Sequence, residues 1–169
     1  GQPLAGVVYL ADASDGDPDS IPAQTEAIYA GALHLAQALV QHGSAARLWL
    51  VTRGTQQVQD SDDVQVSGSV LWGLGRTLAH EHPELAATII DLPSVPADDE
   101  ATWITTELLA ATEETHVAYR DGQRLVARLE RYQPTSSPHA PTIQPDASYL
   151  ITGGLGGLGL TIARSLVEH

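Results

Sequence analysis

The chain has 169 residues, of which 43% are hydrophobic, and its formal net charge is −13 because 21 acidic residues outnumber eight basic ones. It has no cysteine, which excludes disulfide bonds, thiolate zinc sites and cysteine nucleophiles. The acidic balance argues against a nucleic-acid partner, since such partners favour a basic face. No apolar run reaches the length of about 18 residues expected of a membrane span.

The first three quarters of the chain alternate between strand and helix patterns. Short apolar runs indicate buried strands, and apolar residues spaced three and four apart indicate helices. The patterns predict strands at residues 6–11, 48–52, 86–92, 115–119 and 123–129, and helices at 22–42, 69–81 and 98–111. Asp121 and Gly122, between the last two strands, are a β-hairpin signal.

The resulting order, βαβαβαββ, predicts an α/β fold. Its sheet should be mostly parallel and Rossmann-like, with flanking helices and right-handed crossovers. An acidic segment, and no glycine fingerprint, follows the strand at 6–11, so this first body is predicted to bind no nucleotide. Prolines with serine and threonine between them at 133–146 predict a linker to a second body.

Two glycines, Gly73 and Gly75, interrupt the predicted helix at 69–81. A glycine inside a helix costs about 1 kcal/mol relative to alanine, so it usually has a packing reason. We expect close contact with a strand here, with Gly73 in that contact.

Four arginines near the hairpin, Arg120, Arg124, Arg128 and Arg131, could together bind an anion. Exposed arginines on an edge strand are the favoured interpretation, because edge strands commonly carry charged side chains.

An acidic segment imitates a calcium-binding loop. Its carboxylates are Asp15, Asp17, Asp19 and Glu26. Ser20 stands where the sharp turn of such a loop requires glycine, so a solvated loop is favoured. The histidines at 80–82 are equally weak as metal ligands, since nearly consecutive helical residues point in different directions, unlike an i, i+4 pair. No metal site is predicted.

The C-terminal segment carries the most specific pattern. A short apolar run at 149–151 predicts a strand, a glycine-dense turn follows, and apolar spacing from Leu160 onward predicts a helix. Gly154, Gly156 and Gly159 have the G-x-G-x-x-G spacing of a dinucleotide fingerprint. In that motif glycines permit the tight turn, the approach of backbone to the pyrophosphate, and close packing of helix on strand. The motif predicts a nucleotide site at the helix N-terminus.

The whole chain resembles a ketoreductase domain from a modular type I polyketide synthase. Five segments carry the resemblance in the family's order: GVVYL at 6–10, LWLVTRG at 48–54, LWGLGR at 71–76 with EHP at 81–83, RDG through ARL at 120–129, and 149–159.

The resemblance implies a fold like that of short-chain dehydrogenases/reductases in two subdomains. Residues 1–132 would be a nucleotide-free structural subdomain, 133–146 the linker, and 147–169 the opening strand and helix of the catalytic subdomain. It also implies a cytoplasmic enzyme that reduces a β-ketoacyl group with NADPH. The expected partners are the acyl carrier protein bearing that group and the neighbouring synthase domains.

The family's cofactor loop falls on eight consecutive residues of this sequence. They are Thr152, Gly153, Gly154, Leu155, Gly156, Gly157, Leu158 and Gly159. No catalytic residue carries over, because the family's tyrosine, serine and lysine belong to later segments, and this chain has no lysine. The isolated chain is therefore expected to be inactive.

Two alternatives remain open from the sequence. One is a non-catalytic scaffold that derives from a decayed ketoreductase and holds neighbouring synthase domains. The other is an unrelated NAD- or FAD-binding oxidoreductase with a fused α/β domain. A basic residue after the next strand of the nucleotide-binding unit would favour the reductase.

Overall fold

Five strands form one sheet, and their order across the sheet is their order along the chain. They are β1 (Gly6–Leu10), β2 (Arg47–Arg53), β3 (Thr88–Leu92), β4 (His116–Arg120) and β5 (Gln123–Val126). The first four are parallel, and β5 is antiparallel to β4. Asp121 and Gly122 both have positive φ, which is the backbone that a two-residue hairpin turn needs.

The computed structural model describes residues 4–11, 15–110, 112–132, 143–144 and 146–168. It divides the chain into two units, Gly1–Arg128 and Leu129–His169. The helices are α1 (Ile21–Gln41), α2 (Val70–Glu81) and α3 (Glu100–Leu109) in the first unit, and α4 (Gly157–Glu168) in the second. Most of the predicted linker lies outside the described residues. Among the described helices, none has the length and apolar character to cross a membrane.

The predicted α/β class and the mostly parallel Rossmann-like sheet are confirmed. Alternate residues of each strand face opposite sides of the sheet, so the core has two layers. On one side, Leu48, Leu50 and Ile89 pack with α1 and α2. On the other, Trp49 and Ile90 pack with α3.

The position of α3 corrects the prediction that every crossover is right-handed. The sheet advances in one direction from β1 to β4, yet α3 lies on the opposite face from α1 and α2. Two crossovers between parallel strands have opposite handedness when they advance in the same direction across the sheet but place their helices on opposite faces. At least one crossover in this sheet is therefore not right-handed. On its face α3 covers the large aromatic side chains, with Trp103 stacked on Tyr119 at 4.9 Å between ring centroids.

The close contact between helix and sheet lies at Gly75, so the expectation for Gly73 is wrong. A Cβ added at Gly75 would lie 2.3 Å from Ile89 Cδ1 and 2.7 Å from Ile89 Cγ1, whereas one added at Gly73 would meet no atom within 4 Å. Gly73 and Gly75 are two residues apart and therefore point about 200° apart around the helix. Only Gly75 faces the sheet.

We expect Gly75→Val to lower the free energy of unfolding by about 1–3 kcal/mol, because the added side chain overpacks the core against Ile89. Gly73→Ala is the matched control on the same helix. It should raise the stability by up to about 1 kcal/mol, because alanine is the better helix former and the site is open. Urea unfolding of both variants followed by circular dichroism measures the two effects. A destabilised Gly73→Ala would contradict this assignment of the two faces.

The predicted strand at 149–151 is not a strand in the structure. A β-strand exists through hydrogen bonds to a neighbouring strand, and no described segment pairs with Tyr149–Ile151. Leu150, in the middle of this apolar run, is 94% exposed, because no partner strand covers it among the described residues. The turn and α4, which form through local hydrogen bonds, are present as predicted.

Candidate functional site

The eight candidate cofactor residues form one continuous turn that leads into α4. Thr152 to Leu155 lie in the turn, Gly156 is the bend that follows, and Gly157 to Gly159 are the first residues of the helix. Gly153 has φ of +69°, a left-handed conformation that strongly favours glycine. The amide of Gly154 donates to Ile151 O at 3.2 Å, and that of Gly156 donates to Gly153 O at 2.9 Å.

The third glycine of the fingerprint is required by the turn itself. A Cβ at Gly159 would lie 2.4 Å from Gly153 O and 2.6 Å from Gly154 Cα, so any side chain there would displace backbone. The second glycine is different, since a Cβ at Gly156 would meet only Gly153 O, at 3.4 Å. The loop leaves room for a Cβ at Gly156, so its own packing does not require glycine at that position.

The N-terminus of α4 presents unpaired donors. The first helical bond runs from Leu160 N to Gly156 O, at 2.9 Å. Ahead of it, the amides of Gly157, Leu158 and Gly159 have no acceptor among the described residues. The residues around them carry no carboxylate, and the loop is mostly exposed. Amides of this kind, at the positive end of a helix dipole, can bind a phosphate group.

The corresponding edge of the first unit is closed by its own side chains. At the carboxyl ends of β2, β3 and β4, Asp91 is fully buried and forms an ion pair with Arg120, with 2.7 Å between Oδ2 and Nη2. Its Oδ1 accepts bonds from the hydroxyls of Thr52, at 2.6 Å, and Thr55, at 2.8 Å. Trp72 Nε1 donates to the Thr55 hydroxyl at 2.9 Å. The crevice where open α/β sheets bind ligands therefore holds a satisfied polar network.

Sequence reasoning missed this network and misjudged one of the arginines in it. Arg120, expected to be exposed, has a side chain that is only 4% exposed. It also bonds to Asp62 Oδ2, at 2.9 Å. Burial alone would lower the pKa of Arg120, but the hydrogen bonds that it donates to Asp91 and Asp62 raise the pKa overall, so the group stays charged. The available signal was an aspartate inside an otherwise apolar strand, in the run TIIDL.

The next two arginines are on the surface of the sheet and engaged with carboxylates. Arg124 Nε lies 2.5 Å from Glu107 Oε1, and Arg128 Nη2 lies 2.5 Å from Glu114 Oε1. Each carboxylate neutralises its arginine, so Arg120, Arg124 and Arg128 do not form an anion site.

Metal binding finds no support in the part of the chain that is described. No group of three or more histidine, aspartate or glutamate residues there could hold an ion. Asp15, from the segment that imitates a calcium loop, instead accepts hydrogen bonds from the amides of Val66 and Ser67 and from the Ser67 hydroxyl. It thereby ties that segment to the short helical turn that precedes α2.

Comparisons with known proteins agree with this architecture. A family model described as the Rossmann-fold domain of the polyketide synthase extender module SpnB matches residues 1–129. The chain is 37% identical over 173 residues to a phenolphthiocerol/phthiocerol polyketide synthase of Mycobacterium tuberculosis, and the match covers 99% of this chain and 9% of that protein. It is 38% identical over 171 residues to polyketide synthase GfsA of Streptomyces halstedii, where the match covers 99% of this chain and 2% of that protein.

Solved structures extend the similarity to the fold. A structure of A-type ketoreductases from a modular polyketide synthase superposes with a TM-score of 0.76 at 36% identity, covering 98% of this chain and 35% of that one. The chain therefore spans about a third of the solved reductase, and 9% or less of the two synthases named above.

Proposed function

The chain belongs to the Rossmann-fold domains of polyketide synthase extender modules, of the ketoreductase type, and on that premise we propose that it is part of an NADPH-dependent ketoreductase. The substrate would be a β-ketoacyl group on an acyl carrier protein, and the product the β-hydroxyacyl group. The neighbouring synthase domains in the cytoplasm would be its other partners. NADPH, when bound, supplies the hydride for this reduction.

The observation that carries the proposal is the set of unpaired amides at the start of α4. The N–H groups of Gly157, Leu158 and Gly159 have no hydrogen-bond acceptor among the described residues. The turn with positive φ at Gly153 leads the chain into the helix. A dinucleotide pyrophosphate carries the charge that these donors and the helix dipole favour. Thr152 to Gly159 would bind and orient the cofactor through backbone. The rest of the cofactor and the substrate would be held by other segments of the reductase.

In this proposal residues 1–132, which include the first unit, are the structural subdomain, 133–146 are the linker, and 147–169 are the opening of the catalytic subdomain. Its sheet has the topology of a nucleotide-binding domain, but its carboxyl edge is filled by Asp91, Arg120 and Thr55. A pyrophosphate approaching this edge would meet a buried carboxylate and no glycine-rich turn. The first unit would therefore bind no dinucleotide.

We expect the isolated chain to show no reduction of a β-ketoacyl thioester by NADPH, measured as loss of NADPH absorbance. The family resemblance implies a lysine-assisted tyrosine as proton donor, and this chain has no lysine. General acid catalysis alone typically contributes about 10²–10⁴-fold.

The matched control is the parent ketoreductase that contains this chain, which should turn over under the same conditions. Turnover by the isolated chain would contradict the assignment of chemistry to other segments. A parent protein that neither binds NADPH nor reduces the thioester would replace the proposal with a non-catalytic scaffold.

A further inference from the structure

A small cavity lies beside α2, where the sheet carries β4 and β5. Helices α1 and α2 pack on residues of β1, β2 and β3. Since Val117 and Tyr119 face α3, the alternate residues His116 and Ala118 face the opposite side, next to α2. The cavity there has a volume of about 240 Å³. Its apolar wall includes Trp72, Ala118 and Leu125.

His116 lines this cavity, and its ring carries an unsatisfied polar atom. Its Nε2 is buried and has no hydrogen-bond partner among the described residues. Nδ1 lies 2.9 Å from the hydroxyl of Thr115, and the imidazole packs on Trp72 with 5.0 Å between ring centroids. When the hydroxyl donates to Nδ1, the ring proton resides on Nε2, and a donor is left without an acceptor. Buried polar atoms are nearly always paired, so this one calls for an acceptor, and a small turn of the ring toward the cavity would let a bound group supply it.

Arg76 brings a positive charge to the same place. It follows Trp72 by four residues, so the two project from the same face of α2, and both line the cavity. Arg76 forms no ion pair with any described carboxylate, in contrast to Arg120, Arg124 and Arg128. Burial lowers the pKa of His116, and the charge of Arg76 lowers it further, which agrees with a neutral imidazole beside a cation.

We propose that this cavity binds a small carboxylate with an apolar body, such as an aryl or short alkyl acid. The carboxylate would accept hydrogen bonds from the Arg76 guanidinium and, after a small turn of the imidazole toward the cavity, from His116 Nε2–H, and the apolar body would pack on Trp72 and Leu125. A single cation matches a monoanion, and the planar guanidinium matches a carboxylate in geometry. The volume, below the range of about 300–1,000 Å³ typical of drug-sized ligands, limits the body to about one ring. This site is separate from the glycine turn and does not depend on the proposed reductase function.

The test is a titration of the 169-residue chain with benzoate, followed by the shift of the Trp72 indole N–H resonance, and with benzamide as the neutral isostere. We expect saturable binding of benzoate and much weaker binding of benzamide. Arg76→Gln should weaken benzoate binding about tenfold, the value of one charge-assisted hydrogen bond. Arg76 is exposed, so this variant should fold normally. His116→Phe keeps a ring against Trp72 and should also weaken binding.

Arg131→Gln is the matched control, because it removes the same charge from an exposed position that does not line the cavity. It should leave the affinity for benzoate unchanged. Three outcomes would overturn the proposal: no saturable benzoate binding, equal binding of benzamide, or equal weakening by Arg131→Gln and Arg76→Gln. The last of these would indicate only a general attraction of anions to the chain.

Discussion

Replacement of Arg120 by glutamine should cost about 3–5 kcal/mol of unfolding free energy, the usual cost of removing one partner from a buried ion pair. The reason is the position of its carboxylate partner. Asp91 is fully buried, and Arg120 Nη2 lies 2.7 Å from it. Without the guanidinium, a negative charge stays in the interior with only neutral donors, the hydroxyls of Thr52 and Thr55 and the amides of Thr55 and Gln56.

Arg120 also connects three separate parts of the first unit. Its Nη1 donates to the carbonyls of Asp91 and Leu92, both at 3.3 Å, and Nη2 donates to the carbonyl of Gln56 at 2.8 Å. Nε bonds to Asp62 at 2.9 Å. The side chain thus connects the segment after β2 and the end of β3 to β4, and glutamine cannot replace this many donors.

Arg128→Gln is the control for this prediction. Arg128 also pairs with a carboxylate, Glu114, but its side chain is 56% exposed, and water screens an exposed pair so that it contributes little to stability. Urea unfolding of both variants at neutral pH, followed by circular dichroism, measures the difference. If the two variants lose equal stability, the Asp91–Arg120 pair is not the structural centre of the first unit.

The contrast between these two arginines shows which structural features can be predicted from the sequence and which cannot. Strand and helix order follows from short-range periodicity, and Asp121-Gly122 specifies its turn by local backbone preference, so both were predictable. The pairing of Asp91 with Arg120 joins residues 29 apart. Nothing in the local pattern distinguishes Arg120 from Arg128, and only the fold brings one of them to the buried edge.

The glycines show the same limit. The helical period places Gly73 and Gly75 on different faces of α2, but it does not say which face meets the sheet, and the contact with Ile89 decides that. At residues 149–151 the apolar pattern is genuine, but a strand needs a partner, and no described segment pairs with it. The glycine turn, in contrast, forms through hydrogen bonds between neighbouring residues, so the local glycine spacing predicts it.

In the glycine turn, Gly159 and Gly156 differ in why glycine would be needed. Gly159 is required by the loop, because a Cβ would lie 2.4 Å from Gly153 O, and a variant there would lose binding through a distorted turn. Gly156 is the informative position. Its Cβ would meet only Gly153 O, at 3.4 Å, and the positive φ of the turn lies at Gly153 and not at Gly156.

Gly156→Val in the parent ketoreductase should therefore leave the turn and the melting temperature largely intact but weaken NADPH binding about 100-fold, or about 2.7 kcal/mol. The side chain would occupy the space through which the pyrophosphate approaches the backbone. Gly73→Val is the matched control, the same substitution at a glycine with no atom within 4 Å of its added Cβ, and it should leave the NADPH affinity unchanged. Fluorescence titration with NADPH and thermal melts of both variants make the measurement. Unchanged affinity in Gly156→Val would remove this turn from the cofactor site and leave the first unit's structural role as the main contribution of the chain.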